Sequence, residues 1–277
     1  MNKSFLTLLF SAVLALSACH NKHSFTLEGT LDNGANRTIY IEELTPDGPQ
    51  FLDSIHLDAN GHFVYNQELP YPTFYNLHSS ASDYVVLLPE EGETVSISGD
   101  IRQLQWSYDV QGSHGSQLLW QIQDYSNHGI NRLLEIIEMD RKNKEQFGEG
   151  TPQYQKAKEA TDSIFRDAMQ EQVDYVSHFI QDNAGSLATL IALYKTFNNR
   201  PIIAPEVNFD YYQLVLDSLK SYLPDNPHTI HFETEVAHLK HRYGQPKQAL
   251  DMVFDGQDED DDEEGDDDGD DDDDGKN

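Results

Sequence analysis

The sequence predicts an α+β chain: an N-terminal antiparallel β-sandwich or small barrel, then an all-α helical region, then a disordered acidic tail. Three observations lead there. From Ser24 to about Gly112, apolar and polar residues alternate with a period of two, as half-buried strands require. From there to Tyr243, apolar residues recur three and four apart, the spacing of one helix face. From Asp255 to Asn277 the chain has 16 Asp and Glu and a single Lys, so this stretch alone carries −15 of the net charge of −31.

Ahead of the first strand, residues 1–19 read as a lipoprotein signal peptide with a lipobox. Lys3 supplies a positive start, and Phe5 to Leu16 form an apolar run interrupted only by Ser and Thr. That run is too short to span a bilayer as a permanent helix. It ends in Leu16-Ser17-Ala18-Cys19. Small residues before the cleaved bond fit a narrow peptidase groove, and the Cys19 thiol accepts a diacylglycerol. Each buried methylene contributes about 0.8 kcal/mol, so acyl chains on Cys19 hold the chain to a membrane. Residues 20–23 form a short linker. His20 stands where an Asp would resemble an inner-membrane retention signal, and Asn21-Lys22-His23 has no acidic cluster of the surface-export kind. The expected location is the cell envelope, lipid-anchored on the periplasmic face of the outer membrane.

The β-rich module is expected over residues 24–112. Its runs are Phe25 to Glu28, Thr38 to Glu42, Phe51 to Leu57, His62 to Tyr65, Thr73 to His78, Tyr84 to Leu88, Thr94 to Ser98 and Trp106 to Val110. Turn residues separate them: Asp32-Asn33-Gly34, Pro46-Asp47-Gly48-Pro49, Asn60-Gly61 and Glu91-Gly92. Asn60-Gly61 reads as a hairpin turn, because both residue types accept positive φ.

Residues 113–243 make the helical region. Leu118, Leu119, Ile122, Tyr125, Ile130, Leu133, Leu134, Ile136 and Ile137 mark a first helix. Thr151-Pro152 caps and opens a second, with Ile164, Phe165, Ala168, Val173, Val176 and Ile180 turned inward. Asn183-Ala184-Gly185-Ser186 ends it, and Ser186 caps a short helix through Phe197. Two more are expected over Phe209 to Leu223 and Thr229 to Tyr243, bounded by Pro201, Pro205, Pro224 and Pro227. Residues 244–277 are linker and acidic tail, in which clustered carboxylates repel one another and little apolar surface offsets ordering.

Charge and cysteine content exclude several functions. Outside the tail the chain still carries −16, which argues against a basic patch for nucleic acid. Cys19 is the only cysteine. Once it is a thioether, no disulfide, redox pair or cysteine nucleophile remains.

The order of several short motifs resembles a known family. Phe25-x-Leu27-x-Gly29, Leu52-Asp53-Ser54, Gly61-x-Phe63, Leu87 to Gly92 and Val95-x-Ile97-x-Gly99 follow the lipobox. Phe179-Ile180-x-x-Asn183 to Ser186, Leu193-Tyr194 and Tyr211 to Leu223 come next. Together they resemble the N-terminal domain of unknown function and helical linker of envelope lipoprotein thiol–disulfide oxidoreductases (TlpA-like/AhpC-TSA). In that family a thioredoxin-like domain with Trp-Cys-x-x-Cys follows. Here Gly244-Gln245-Pro246, Leu250 and Phe254-Asp255-Gly256 resemble only the start of its first strand, before the acidic run. The redox cysteines are missing, so the resemblance implies no catalytic residue in this chain.

Other chemistry is thinly represented. Asp260, Asp262, Glu264, Asp266, Asp268 and Asp271 fall at the ligand positions of a calcium loop with Gly265 at its turn, but the twelfth position lacks the bidentate Glu and no helices flank it. Weak Ca²⁺ or Mg²⁺ association is the most these carboxylates offer. His228, His231, His238 and His241 share a rough helix face without a His-Glu-x-x-His order. Tyr71, Phe74, Tyr75, Trp106 and Tyr108 can line a ligand groove or fill the core. No Gly-x-Ser-x-Gly and no phosphate loop appears.

The expected function is therefore that of a noncatalytic, lipid-anchored interaction or accessory protein without a cofactor. Its partners are the membrane, through the acyl chains on Cys19, and an envelope protein. A glycan- or peptide-binding lipoprotein and a truncated oxidoreductase partner are the alternatives.

Overall fold

The alternating segments fold into strands Ser24–Asp32 (β1), Thr38–Thr45 (β2), Gly48–His56 (β3), His62–Glu68 (β4), Phe74–Ser80 (β5), Asp83–Leu87 (β6), Thr94–Asp100 (β7) and Asp109–Gln111 (β8) in a computed structural model that describes residues 23–80 and 82–243. One sheet has the order β4-β1-β7-β8 and the other β3-β2-β5-β6. Their inner faces share one core, in which Phe25 and Leu27 of β1 meet Tyr75 and Leu77 of β5. The Phe25 and Tyr75 rings lie 4.9 Å apart. The fold is thus the sandwich of the two expected forms.

Two details differ from the sequence reading. β1 and β7 pair in parallel, with Gly29 opposite Ile97, so the first sheet is mixed, while the second is wholly antiparallel. The chain crosses to the second sheet and returns twice between these strands, which brings β7 beside β1 running the same way. A Cβ on Gly29 would stand 2.2 Å from Ile97 O, so only glycine permits this approach. Asn60-Gly61 also makes no hairpin. Gly61 does take φ +78°, but β3 before it and β4 after it lie in different sheets. The turn instead carries the chain across the sandwich, and the hairpin is at Pro46-Asp47, where Thr45 pairs with Gly48.

The run Trp106 to Val110 is likewise not one strand. Leu104–Ser107 (α1) is a helical turn. The Asp83 carboxylate accepts from the amides of Leu104 and Gln105 at 2.9 and 2.8 Å, and this capping draws the segment out of extended form.

Beyond β8 come His114–Phe147 (α2), Pro152–Asp182 (α3), Ala188–Leu193 (α4), Pro205–Tyr222 (α5) and Pro227–Tyr243 (α6). Thr151 caps α3 by accepting from Tyr154 N, with Pro152 in the first turn, as the sequence suggests. The short helix expected through Phe197 stops earlier. A small hairpin, Thr196–Phe197 (β9) and Arg200–Pro201 (β10), replaces its end. Its turn residues Asn198 and Asn199 take φ +51° and +61°, which no helix accommodates.

α2 and α3 form a long antiparallel arm. On α2, Ile122, Ser126, Gly129, Leu133 and Ile136 are buried at alternating spacings of four and three, the period of a two-helix seam. Polar and small groups occupy much of it, including Gln172 and Thr161 from α3. Leu134, Ile137 and Ile164, read as core, are 52%, 43% and 41% exposed. They fall on the flanks because the seam positions belong to their neighbours.

The helical region does not stand apart from the sandwich. Phe74 and Leu88, on or beside the second sheet, belong to the helical core with Ile122, Ile180, Leu193 and Phe232. The outer face of that sheet is therefore half of an interface.

Candidate functional site

Two sets of hydrogen bonds fix the helices to the sandwich. At the start of α2, Ser113 Oγ donates to Leu88 O at 3.2 Å, and Ser116 Oγ accepts from Leu88 N at 3.0 Å. Ser113 also caps the helix by accepting from Ser116 N. Gly115 lies so close that a Cβ there would stand 2.4 Å from Leu88 O. At the start of α6, Asn226 Nδ2 donates to Pro72 O at 2.7 Å, and Asn226 Oδ1 accepts from His228 N at 2.9 Å. His228 Nε2 and Thr73 Oγ1 share a buried hydrogen bond of 3.0 Å, and the ring meets Phe74 edge-on at 5.0 Å. Burial, with His231 nearby, pushes the His228 pKa down to about 4.

This second attachment brings α6 alongside the β2–β3 hairpin. Between them lies a cleft of about 620 Å³, within the size range of ligand sites. Glu43, Thr45, Asp47, Gln50 and Tyr71 line one wall, and Pro227, Ile230, His231 and Thr234 the other. Ile230 is 54% exposed there. Burial and the Glu43 carboxylate push up the pKa of Tyr71, and both effects also keep Tyr75 protonated. His231 Nε2 lies 3.7 Å from Glu235 Oε1. The cleft thus offers carboxylates, hydroxyls and apolar surface.

The residues singled out from the sequence are dispersed. Cys19 and the carboxylates of Asp260, Asp262, Glu264, Asp266, Asp268 and Asp271 lie outside the described residues. His228 is a buried clamp, so it does not join His231, His238 and His241 on an open face. Among the described residues no group of three or more His, Cys, Asp or Glu is placed to hold a metal ion. The five aromatics do not form one groove. Phe74 lies in the helical core, Tyr75 and Tyr108 lie in the sandwich core, Trp106 is exposed, and only Tyr71 reaches the cleft. Among the described residues no helix is long and apolar enough to cross a membrane.

Two polar features had no signature in the sequence. Lys195 Nζ donates to Gln123 Oε1 at 2.5 Å, and burial pushes its pKa down to about 8. On the outer face of the second sheet, Asn76 Nδ2 donates to Glu42 Oε2 at 3.0 Å. Asn76 Oδ1 and both ring nitrogens of His78 are buried there without a hydrogen-bond partner among the described residues. Neither feature follows from local spacing, because each pairs residues from distant elements.

Compared with curated proteins and with solved structures, the chain finds no match. Residues 25–119, which span the sandwich and the first turns of α2, match the model of the family described as Domain of unknown function (DUF4369).

Proposed function

We propose that this chain is a noncatalytic, lipid-anchored envelope protein that serves as an interaction or accessory module related to thiol–disulfide oxidoreductases, without their redox chemistry. The observation that carries the reading is the composite cleft. Its walls come from both the sandwich and α6, and they present groups suited to holding a ligand. The domain match supports the relationship, since that family is found in TlpA-like lipoproteins. The single cysteine of the chain, at Cys19, supports an anchor in place of a thiol couple. On this reading the outer membrane is the site of attachment and an envelope protein is the partner.

The test has two arms. Replacing Cys19→Ala should abolish labelling with palmitate and release the protein from the detergent-extracted membrane fraction. Crosslinking in intact envelopes, followed by pull-down, should recover a defined protein with the wild-type chain. Membrane retention of the unlabelled variant would remove the anchor from the proposal. Insulin reduction by purified protein carrying Cys19→Ser would remove its noncatalytic part.

A further inference from the structure

We infer that the cleft between the β2–β3 hairpin and α6 receives a lysine- or arginine-bearing segment of a protein partner. This deepens the docking role proposed above and rests on it.

Charge complementarity is the first argument. Between Ser24 and Gly112 the chain has 14 Asp and Glu against 2 Lys and Arg, a net charge of −12. The two bases are Arg37 and Arg102, and Arg102 is already tied to Asp100 at 2.6 Å. Such a module draws cationic ligands and repels anionic ones. Within the cleft, Glu43 and Asp47 are acceptors, and neither meets a cation among the described residues. A ligand ammonium or guanidinium would supply what they lack.

The remaining lining fits the rest of such a side chain. Lys and Arg carry aliphatic stems that lie along apolar surface while the charged head stays polar. Ile230, Pro46, Pro227 and the Tyr71 ring provide that surface beside the carboxylates. The tyrosine face adds an attraction for a cation. At the positive end of α6, Asn226 Oδ1 takes the His228 amide, which occupies one of the donors that would otherwise face a cation. The α6 wall is fixed by the Thr73–His228 and Pro72–Asn226 hydrogen bonds and the hairpin wall by its pairing within the sheet, so the cleft exists before any partner arrives and little ordering is required on binding.

The test uses the full chain and a fluorescein-labelled Lys-Leu-Lys-Leu-Lys-Leu peptide bearing a benzophenone crosslinker, with Glu-Leu-Glu-Leu-Glu-Leu as its counterpart. The lysine peptide should bind in fluorescence anisotropy, and its crosslinks should map to the β2–β3 hairpin and α6. Glu43→Gln with Asp47→Asn should weaken binding at least about tenfold. A matched pair on the other sheet, Glu68→Gln with Asp109→Asn, should leave it within twofold. Glu43→Lys with Asp47→Lys should shift preference to the glutamate peptide. Crosslinks confined to residues 255–277, or equal weakening by both neutralising pairs, would overturn the assignment by showing attraction to bulk charge. An envelope protein that crosslinks equally to wild type and to the Glu43→Gln, Asp47→Asn protein would also overturn it, while leaving the docking role intact.

Discussion

Thr73 Oγ1 and His228 Nε2 stand 3.0 Å apart although 155 residues of chain separate them. This hydrogen bond closes the sandwich against the last described helix. It also sets a pH dependence. The ring takes up a proton near 6.5 in the unfolded chain but only near about 4 in the folded one. Between those values the unfolded state binds more protons, so the His228 contribution is complete above pH 6.5 and is lost as pH falls toward 4. Thermal melts from pH 7 to 4.5 should show a falling midpoint. His228→Gln should start lower and fall less steeply. Parallel curves for the two proteins would assign the acid sensitivity elsewhere.

The start of α2 offers a second measurement. Ser113→Ala removes both the helix cap and the bond to Leu88 O. The expected cost is about 1–2 kcal/mol in urea unfolding. Ser116→Ala leaves Leu88 N without its acceptor and should cost a similar amount. A loss under about 0.3 kcal/mol for both would mean that water replaces these groups freely.

Adjacent leucines on α2 should behave oppositely. Leu133 is 1% exposed in the seam and Leu134 is 52% exposed beside it. Leu133→Ala is expected to cost about 2–4 kcal/mol, as buried leucines do. Leu134→Ala should stay within about 0.5 kcal/mol. Equal effects in denaturant titrations would place another surface against the Leu134 flank.

Lys195 should titrate well below the ordinary lysine value, because burial disfavours its charged form. After reductive methylation with ¹³C-formaldehyde, one dimethyl-lysine resonance should move with a midpoint of about 8. Lys195→Met identifies it by deletion and should not destabilise the fold at neutral pH, since a buried charge is replaced by an apolar chain of similar length. Loss of the fold in that variant would show that the bond to Gln123 matters more than the burial of the charge.

Much of the architecture was legible because periodicity is a local property. The alternation around Phe25 and Leu27 places both inside, and Thr151-Pro152 announces its helix through capping chemistry. What local pattern could not encode is which strand meets which. Asn60-Gly61 has the composition of a hairpin turn, yet it switches sheets, since only long-range packing decides the partner of β4. Leu133 and Leu134 have the same hydropathy, and the seam with α3 chooses between them. The cleft was almost illegible for the same reason. Glu43 and Ile230 look like ordinary surface residues until the β2–β3 hairpin and α6 come together, and Tyr71 is the one ligand-facing aromatic of the sequence that reaches them.

The Thr73–His228 closure also has a cost in time. A growing chain extends at about 5–20 residues per second, so roughly 8–30 s pass between synthesis of the strand that begins at Phe74 and arrival of the helix that covers it. Throughout that interval the outer face of the second sheet has no roof, and Leu44, Phe74 and Val86 on it are open to other nascent chains. Slowing elongation should therefore raise aggregation of this protein before it raises misfolding of its separate sandwich strands, and a holdase that shields sheet faces should relieve it.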